Sequence, residues 1–372
     1  MDAGGTDPSP GVTGPLRLEP FRALMLSPRR VGDPASARAF ARPYAAVPDR
    51  LRRWERAGHL THDAEPALYV HEYTADGMTI RGLVGALDVA RAALDPVHRV
   101  VLPHEGVEPA QSAELAARMH QMQLNPAPIL LVHRGPAEVR AVVHDVLGTE
   151  PWAEFTDRGE RLNRLWAIRD PAQLQSIAIH LASCRTLLAD GHHRYAAYQQ
   201  LQQHHPGTAA DRGLAMLVDQ DDTPLFLGAI HRTLTQTTLA DVEHAVQGLA
   251  RFALSSEAHA MSALGPTTLV VTDGDGWARV ELRIPPNRAA VEALHVDLVP
   301  RLPPARRRIA YHHTVEETLT ALPRPGVAVL MPAPDFDQVD HIVGADRLLP
   351  EKATSFQPKP GLGVLMRSLL DG

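Results

Sequence analysis

The stretch Leu187-Leu188-Ala189-Asp190-Gly191-His192-His193-Arg194-Tyr195 constrains this chain more than any other. A short apolar run, a glycine, two histidines and an arginine lead into a segment with helical composition. The pattern predicts a strand over Thr186–Ala189, a tight loop, and a helix over Tyr195–His204 that Pro206-Gly207 stops. A strand that ends at a helix N-terminus places backbone N–H groups and the positive end of the helix dipole before a ligand, which suits an anion. Gly191 allows a positive φ or a close backbone approach. Asp190, His192, His193 and Arg194 add an acid, switchable donors and a planar cationic fork within five residues.

The flanking segments read as alternating strands and helices. Phe21–Leu26 is a first short strand, and Leu51–Ala57 is helical. Ala67–Tyr73 and Thr79–Leu87 form a hairpin about Ala75-Asp76-Gly77. Arg99–Leu102 is a strand running into Pro103-His104-Glu105-Gly106, and a helix follows over Pro109–Leu124. Ile129–Val132 is a buried strand with Val139–Val143 as its antiparallel neighbour. Leu162–Ile168 is another strand, and Asp170-Pro171 opens a helix to Ala182. Leu214–Val218 and Phe226–Ile230 continue the strand series. From Leu239 the texture changes: a helix to Phe252, a hairpin about Asp273-Gly274-Asp275-Gly276, more helix, and a strand at Val327–Met331. The expected class is α/β in a mixed α+β form. Its expected parts are a disordered tail over 1–15, a core over 16–238 carrying the Asp-Gly-His-His-Arg loop, and a second α+β portion over 239–372 whose lysine-containing tail returns to the site.

Composition excludes several classes. At 372 residues the chain is long enough for two domains, and 44% hydrophobic with 22% charged residues is ordinary for a globular protein. A net charge of −6 argues against coating nucleic acid, so no nucleic-acid partner is expected. No apolar run approaches the roughly 20 residues of a membrane helix, so no membrane partner is expected either. Cys184 is the only cysteine, which precludes an intramolecular disulfide, fits a cytoplasmic setting and reads as core filler. Only two of the 37 basic residues are lysines, Lys352 and Lys359, and both fall in the Pro-rich stretch Pro350–Gly361. A lysine suits phosphate as a point charge.

The candidate phosphate or nucleotide contacts are therefore Gly191, His192, His193, Arg194, His231, Arg232, Lys352 and Lys359. The candidate catalytic groups are Glu105, Asp190 and His104, with Glu105 able to act as a general base on a hydroxyl. The plainer alternative at the loop is a helix cap satisfied by Asp190. Asp190, His192, His193, His104 and Glu105 are also acceptable zinc ligands, so a metal-dependent hydrolase stays open. Pairs such as His204-His205 and His312-His313 read as surface.

Ala189-Asp190-Gly191-His192-His193-Arg194-Tyr195 resembles the hallmark of the DUF1015 family. The resemblance extends through Arg42-Pro43-Tyr44, His104-Glu105, Leu165-Trp166, His231-Arg232 and Lys352-Ala353-Thr354-Ser355-Phe356-Gln357-Pro358-Lys359. Ala45 stands where the family commonly has Asp, and Gly106-Val107 where it has Thr. More distantly, Ala182–Asp219 is similar to the nucleotide-phosphate loop of the ParB/sulfiredoxin-like group, which includes free-serine kinases and CTP-binding partition proteins. That resemblance implies a ParB/sulfiredoxin-like core in which Gly191, His192, His193 and Arg194 contact nucleotide phosphates while Glu105 or Asp190 activates an acceptor hydroxyl.

The resulting expectation is a nucleotide-dependent phosphotransferase of the small-molecule kinase type, acting on a small hydroxylated metabolite, with serine or phosphoserine first. ATP or ADP, or CTP, would be the nucleotide. The reaction class calls for Mg2+, whose ligands the sequence does not name. A metal-dependent hydrolase and a non-catalytic ParB-like nucleotide-binding regulator are the rival readings, and a homodimer is left open. The chain has neither G-x-x-x-x-G-K-[ST] nor the protein-kinase signatures.

Overall fold

The computed structural model describes residues 11–93, 95–303 and 308–371. Most of the expected tail, residues 1–10, lies outside the described residues. Residues 11–15 are packed rather than loose: Val12 is buried and its carbonyl accepts from Val100 N at 2.9 Å. The chain divides into two compact units. The first comprises Met1–Leu225 with Pro358–Gly372, and the second is Phe226–Gln357.

The first unit is built on a mixed nine-stranded sheet. Its order is β6 (Val101–Pro103), β11 (Thr186–Asp190), β8 (Ile129–His133), β12 (Arg212–Asp219), β5 (Met78–Asp88), β4 (Leu68–Ala75), β10 (Leu162–Ile168) and β9 (Ala153–Thr156), while β1 (Leu18–Glu19) pairs with the end of β5. β6 lies parallel to β11 and β8 parallel to β12; the other pairings are antiparallel. β8 is buried along its whole length, as expected of a strand covered on both faces. Helices α1 (Val47–Arg56), α2 (Pro109–Met122), α3 (Ala137–Leu147), α4 (Pro171–Leu181) and α5 (His192–His204) complete the unit. Met119 of α2, Val143 of α3, Ile177 of α4 and Leu201 of α5 share one core with Leu131 and Leu217 of the sheet. Each such side chain contributes about 1.5–3 kcal/mol by burial. Asp170 caps α4 by accepting from Gln173 N at 2.9 Å.

A four-stranded sheet, β3 (Leu60–His62), β2 (Ala23–Leu26), β21 (Met366–Ser368) and β7 (Leu124–Asn125), ties the C-terminal segment into this unit. Tyr73 Oη donates to the Pro358 carbonyl at 2.6 Å, and Arg161 Nη1 to the Lys359 carbonyl at 3.1 Å.

The second unit holds an antiparallel six-stranded sheet in the order β15 (Ala250–Ser255), β17 (Trp277–Leu282), β16 (Thr268–Thr272), β19 (Gly326–Leu330), β14 (His231–Thr235) and β18 (Ile309–His312). A two-stranded ribbon, β13 (Phe226–Gly228) with β20 (Ser355–Gln357), pairs Phe226 with Gln357.

The mixed α/β class is the one expected, but some elements differ from the sequence reading, among them β18, which lies in a stretch read as helix. Residues 139–143 are part of α3, because Val139, Val143 and Val146 are the buried positions and share one helical face. The helix beginning at Leu239 stops at Ala245; Gly248 turns at φ 79° and β15 begins at Ala250, so Phe252 lies in a strand.

Candidate functional site

The parallel pairing of β6 with β11 sets Pro103 beside Leu188, so both strands release their chains at the same end of the sheet. His104-Glu105 leaves one strand there and Asp190-Gly191 the other. The β11–β8 ladder shifts register between Leu188 and Asp190, an irregularity of the kind that re-aims side chains next to functional sites. Gly191 then takes φ 94° and α5 begins at once at His192, with Tyr195 N donating to the Gly191 carbonyl at 2.8 Å. A Cβ at Gly191 would also stand 3.0 Å from Ile129 Cγ2 and 3.1 Å from Arg194 Nε. The first turn of α5 therefore presents its backbone dipoles at the end of β11.

Asp190 organises the cations. Arg194 Nη2 donates to Asp190 Oδ2 at 2.6 Å, and Lys359 Nζ pairs with Asp190 Oδ1. Arg194 Nη1 also donates to the Pro128 carbonyl at 2.5 Å, which fixes the plane of the guanidinium. Two positive groups separated by much of the chain thus meet on one carboxylate at the mouth of a helix. Their side chains stay partly open to solvent.

The histidines form the second half of the site. The His104 and His192 rings meet edge to face with centroids 4.5 Å apart. His104 is fully buried and donates a ring N–H to the Leu188 carbonyl. Burial pushes its pKa down to about 4, so it is neutral at pH 7. It can orient His192 and the β11 end, but it is not reachable by a substrate. Glu105, 3.8 Å from His104 Nε2, has 14% of its side chain exposed and is the reachable acid beside it. His193 Nδ1 lies 3.4 Å from Ser112 Oγ of α2, a residue the sequence reading did not single out.

Among the expected site residues, the first unit brings together His104, Glu105, Asp190, Gly191, His192, His193, Arg194 and Lys359. His231, Arg232 and Lys352 belong to the second unit. There Arg232 is 1% exposed and donates to the carbonyls of Ile230 and Lys352 and to His295 Nε2, with the Tyr311 ring 5.4 Å away. Its guanidinium braces that unit internally. His231 Nδ1 accepts from Met331 N at 3.0 Å. His312, expected at the surface, is half-buried and bonded to Thr233 Oγ1 at 3.1 Å. Among the described residues no three His, Cys, Asp or Glu side chains converge tightly enough to hold a metal ion. No helix among them is long and apolar enough to cross a membrane.

The family model described as DUF1015, protein of unknown function, matches residues 18–302. The chain belongs to the DUF1015 family. For this DUF1015 protein, a search of curated sequences finds no match. Solved structures similar to it include SbnI with a C-terminal truncation from Staphylococcus aureus, 12% identical, with 77% of this chain and 88% of that one covered at a TM-score of 0.45. They also include a free serine kinase in complex with AMP, 14% identical, with 72% and 88% covered and a TM-score of 0.40.

Proposed function

We propose that the Asp190–Arg194 loop is the phosphate-binding wall of a nucleotide-dependent phosphotransferase acting on a small hydroxylated metabolite, with serine or phosphoserine as the first substrate to try. The observation that carries this reading is the convergence of Arg194 and Lys359 on Asp190 at the start of α5, where Gly191 takes φ 94°. Asp190 keeps both cations in place. A phosphate at the loop exchanges that carboxylate for its own oxygens, with the helix dipole and Arg194 neutralising its charge. Glu105 takes the proton from the acceptor hydroxyl, whose oxygen forms the new P–O bond as the bond to the leaving nucleotide breaks. His104 is a positioning residue. Mg2+, which this reaction class requires, would be held chiefly by the nucleotide phosphates, as is usual for that ion.

The test combines thermal-shift titration with ATP, ADP and CTP and an assay of phosphoryl transfer between ATP and serine. Mass action raises the melting temperature of the wild type with a bound nucleotide, and Arg194→Ala abolishes the rise. Identical behaviour of the two proteins with every nucleotide overturns the reading. Binding that Arg194→Ala abolishes, without transfer to any hydroxylated acceptor, makes the protein a nucleotide-binding regulator instead.

A further inference from the structure

The first unit contains a cavity of about 760 Å³ that the loop chemistry does not use. Its lining includes Ala86 of β5, Arg212 at the start of β12, Arg22, residues of the 207–211 turn and Arg367 of β21. The 207–211 turn follows the C-terminal end of α5, and 13 helical residues put that end about 20 Å from the Asp190 loop. A volume in the range of about 300–1,000 Å³ is typical of small-molecule sites.

Arg367 is the unusual group. It is 7% exposed, and its three hydrogen bonds go to uncharged acceptors: Asn125 Oδ1 at 3.1 Å and the carbonyls of Arg212 and Ala209 at 3.0 Å each. A guanidinium offers five N–H donors, so two remain beyond these bonds. Among the described residues no carboxylate is close enough to Arg367 to form an ion pair. The acids around the cavity are engaged elsewhere. Glu19 grips Arg212 through both oxygens, at 2.7 and 3.2 Å. Asp371 Oδ2 lies 3.0 Å from His62 Nε2, and Asp211 accepts from Gly207 N and Gln202 Nε2. Arg22 at the rim is exposed. Burial, with the neighbouring Arg212, pushes the Arg367 pKa down to about 10 against the smaller opposing pull of Tyr198, Asp371 and Glu19, which still leaves it charged at pH 7. Asp371 and Glu19 act on this buried charge only from beyond ion-pair distance, and an anionic ligand would supply a counter-charge in direct contact.

We propose that this cavity is a second ligand site, distinct from the Asp190 loop, taking a small metabolite through a phosphate or carboxylate group held by Arg367 and Arg22. The inference is independent of the phosphotransferase reading, because no residue is shared between the two sites.

Calorimetric titration of the full chain carrying Arg194→Ala, which disables the loop, tests it with inorganic phosphate and succinate as separate probes. At least one probe binds saturably, and Arg22→Glu, a surface change that leaves the melting temperature in place, weakens that binding about tenfold or more. The preferred probe tells a phosphate ligand from a carboxylate. Arg367→Gln, where it folds, shows the same loss. Absence of saturable binding up to about 10 mM of either probe, or binding that Arg22→Glu leaves unchanged, overturns the proposal.

Discussion

At the scale of single residues, the site depends on a histidine that never meets solvent. His104 is neutral when folded, its pKa pushed down to about 4 by burial, whereas in the unfolded chain it protonates near its ordinary value of about 6.5. Its contribution to stability is therefore complete above about pH 6.5 and is lost as the pH falls from there towards 4. Between pH 6.5 and 5 that loss is about 2 kcal/mol for one such group. Urea unfolding at several pH values is expected to show a shallower acid-side loss in His104→Gln by about this amount, whatever the absolute stability of the variant. An unchanged slope would mean that His104 protonates freely in the folded protein. The sequence made His104 visible by its place after a strand, but not its burial. Burial arises from the His192 ring and the β6–β11 pairing, neither of which is a local property. Arg367 carried no signal at all, lying in an apolar stretch beside Leu365 and Met366 with nothing to mark it as a buried cation.

Among the elements, the strand, loop and helix from Thr186 to His204 were legible because each boundary has its own local cause. Apolar residues make the strand, Gly191 the turn, and Pro206-Gly207 the stop. The hairpin of β4 and β5 was legible for the same reason, with Asp76 and Gly77 at positive φ between two apolar runs. α3 was not, because its valines favour a strand by intrinsic preference while their spacing of four and three residues fits a helix, and packing against the core decides for spacing. The anchors of the C-terminal segment in the first unit, Tyr73 and Arg161, lie far away in sequence and gave no local signal. The position of α5 depends on Gly213 of β12, where a Cβ would fall 2.2 Å from Tyr198 Cδ2. Gly213→Ala is expected to push α5 off the sheet, at a cost of about 1–3 kcal/mol, and to weaken the nucleotide binding proposed for the loop. Urea unfolding combined with a nucleotide titration checks both effects. Full stability with full binding would show that Tyr198 swings aside at no cost.

On the scale of the whole molecule, the second unit is an insertion whose two ends adjoin. Phe226 and Gln357 are partners in the β13–β20 ribbon, so the chain leaves and re-enters at points about 5 Å apart. Replacing residues 226–357 with a short Gly/Ser turn is expected to leave a folded first unit that keeps the nucleotide-dependent rise in melting temperature proposed above. An aggregated or molten product would instead make the second unit part of the first unit's folding. The same arrangement sets an order of events during synthesis. Asp190 emerges from the ribosome 169 residues before Lys359, and the whole of the second unit comes between them. A nascent chain thus carries the loop with Arg194 already in place but without its second cation, and β2 and β7 lack β21 until the last stretch is released. On the phosphate-binding reading proposed for the loop, a chain that halts after the second unit offers a phosphate Arg194 without Lys359.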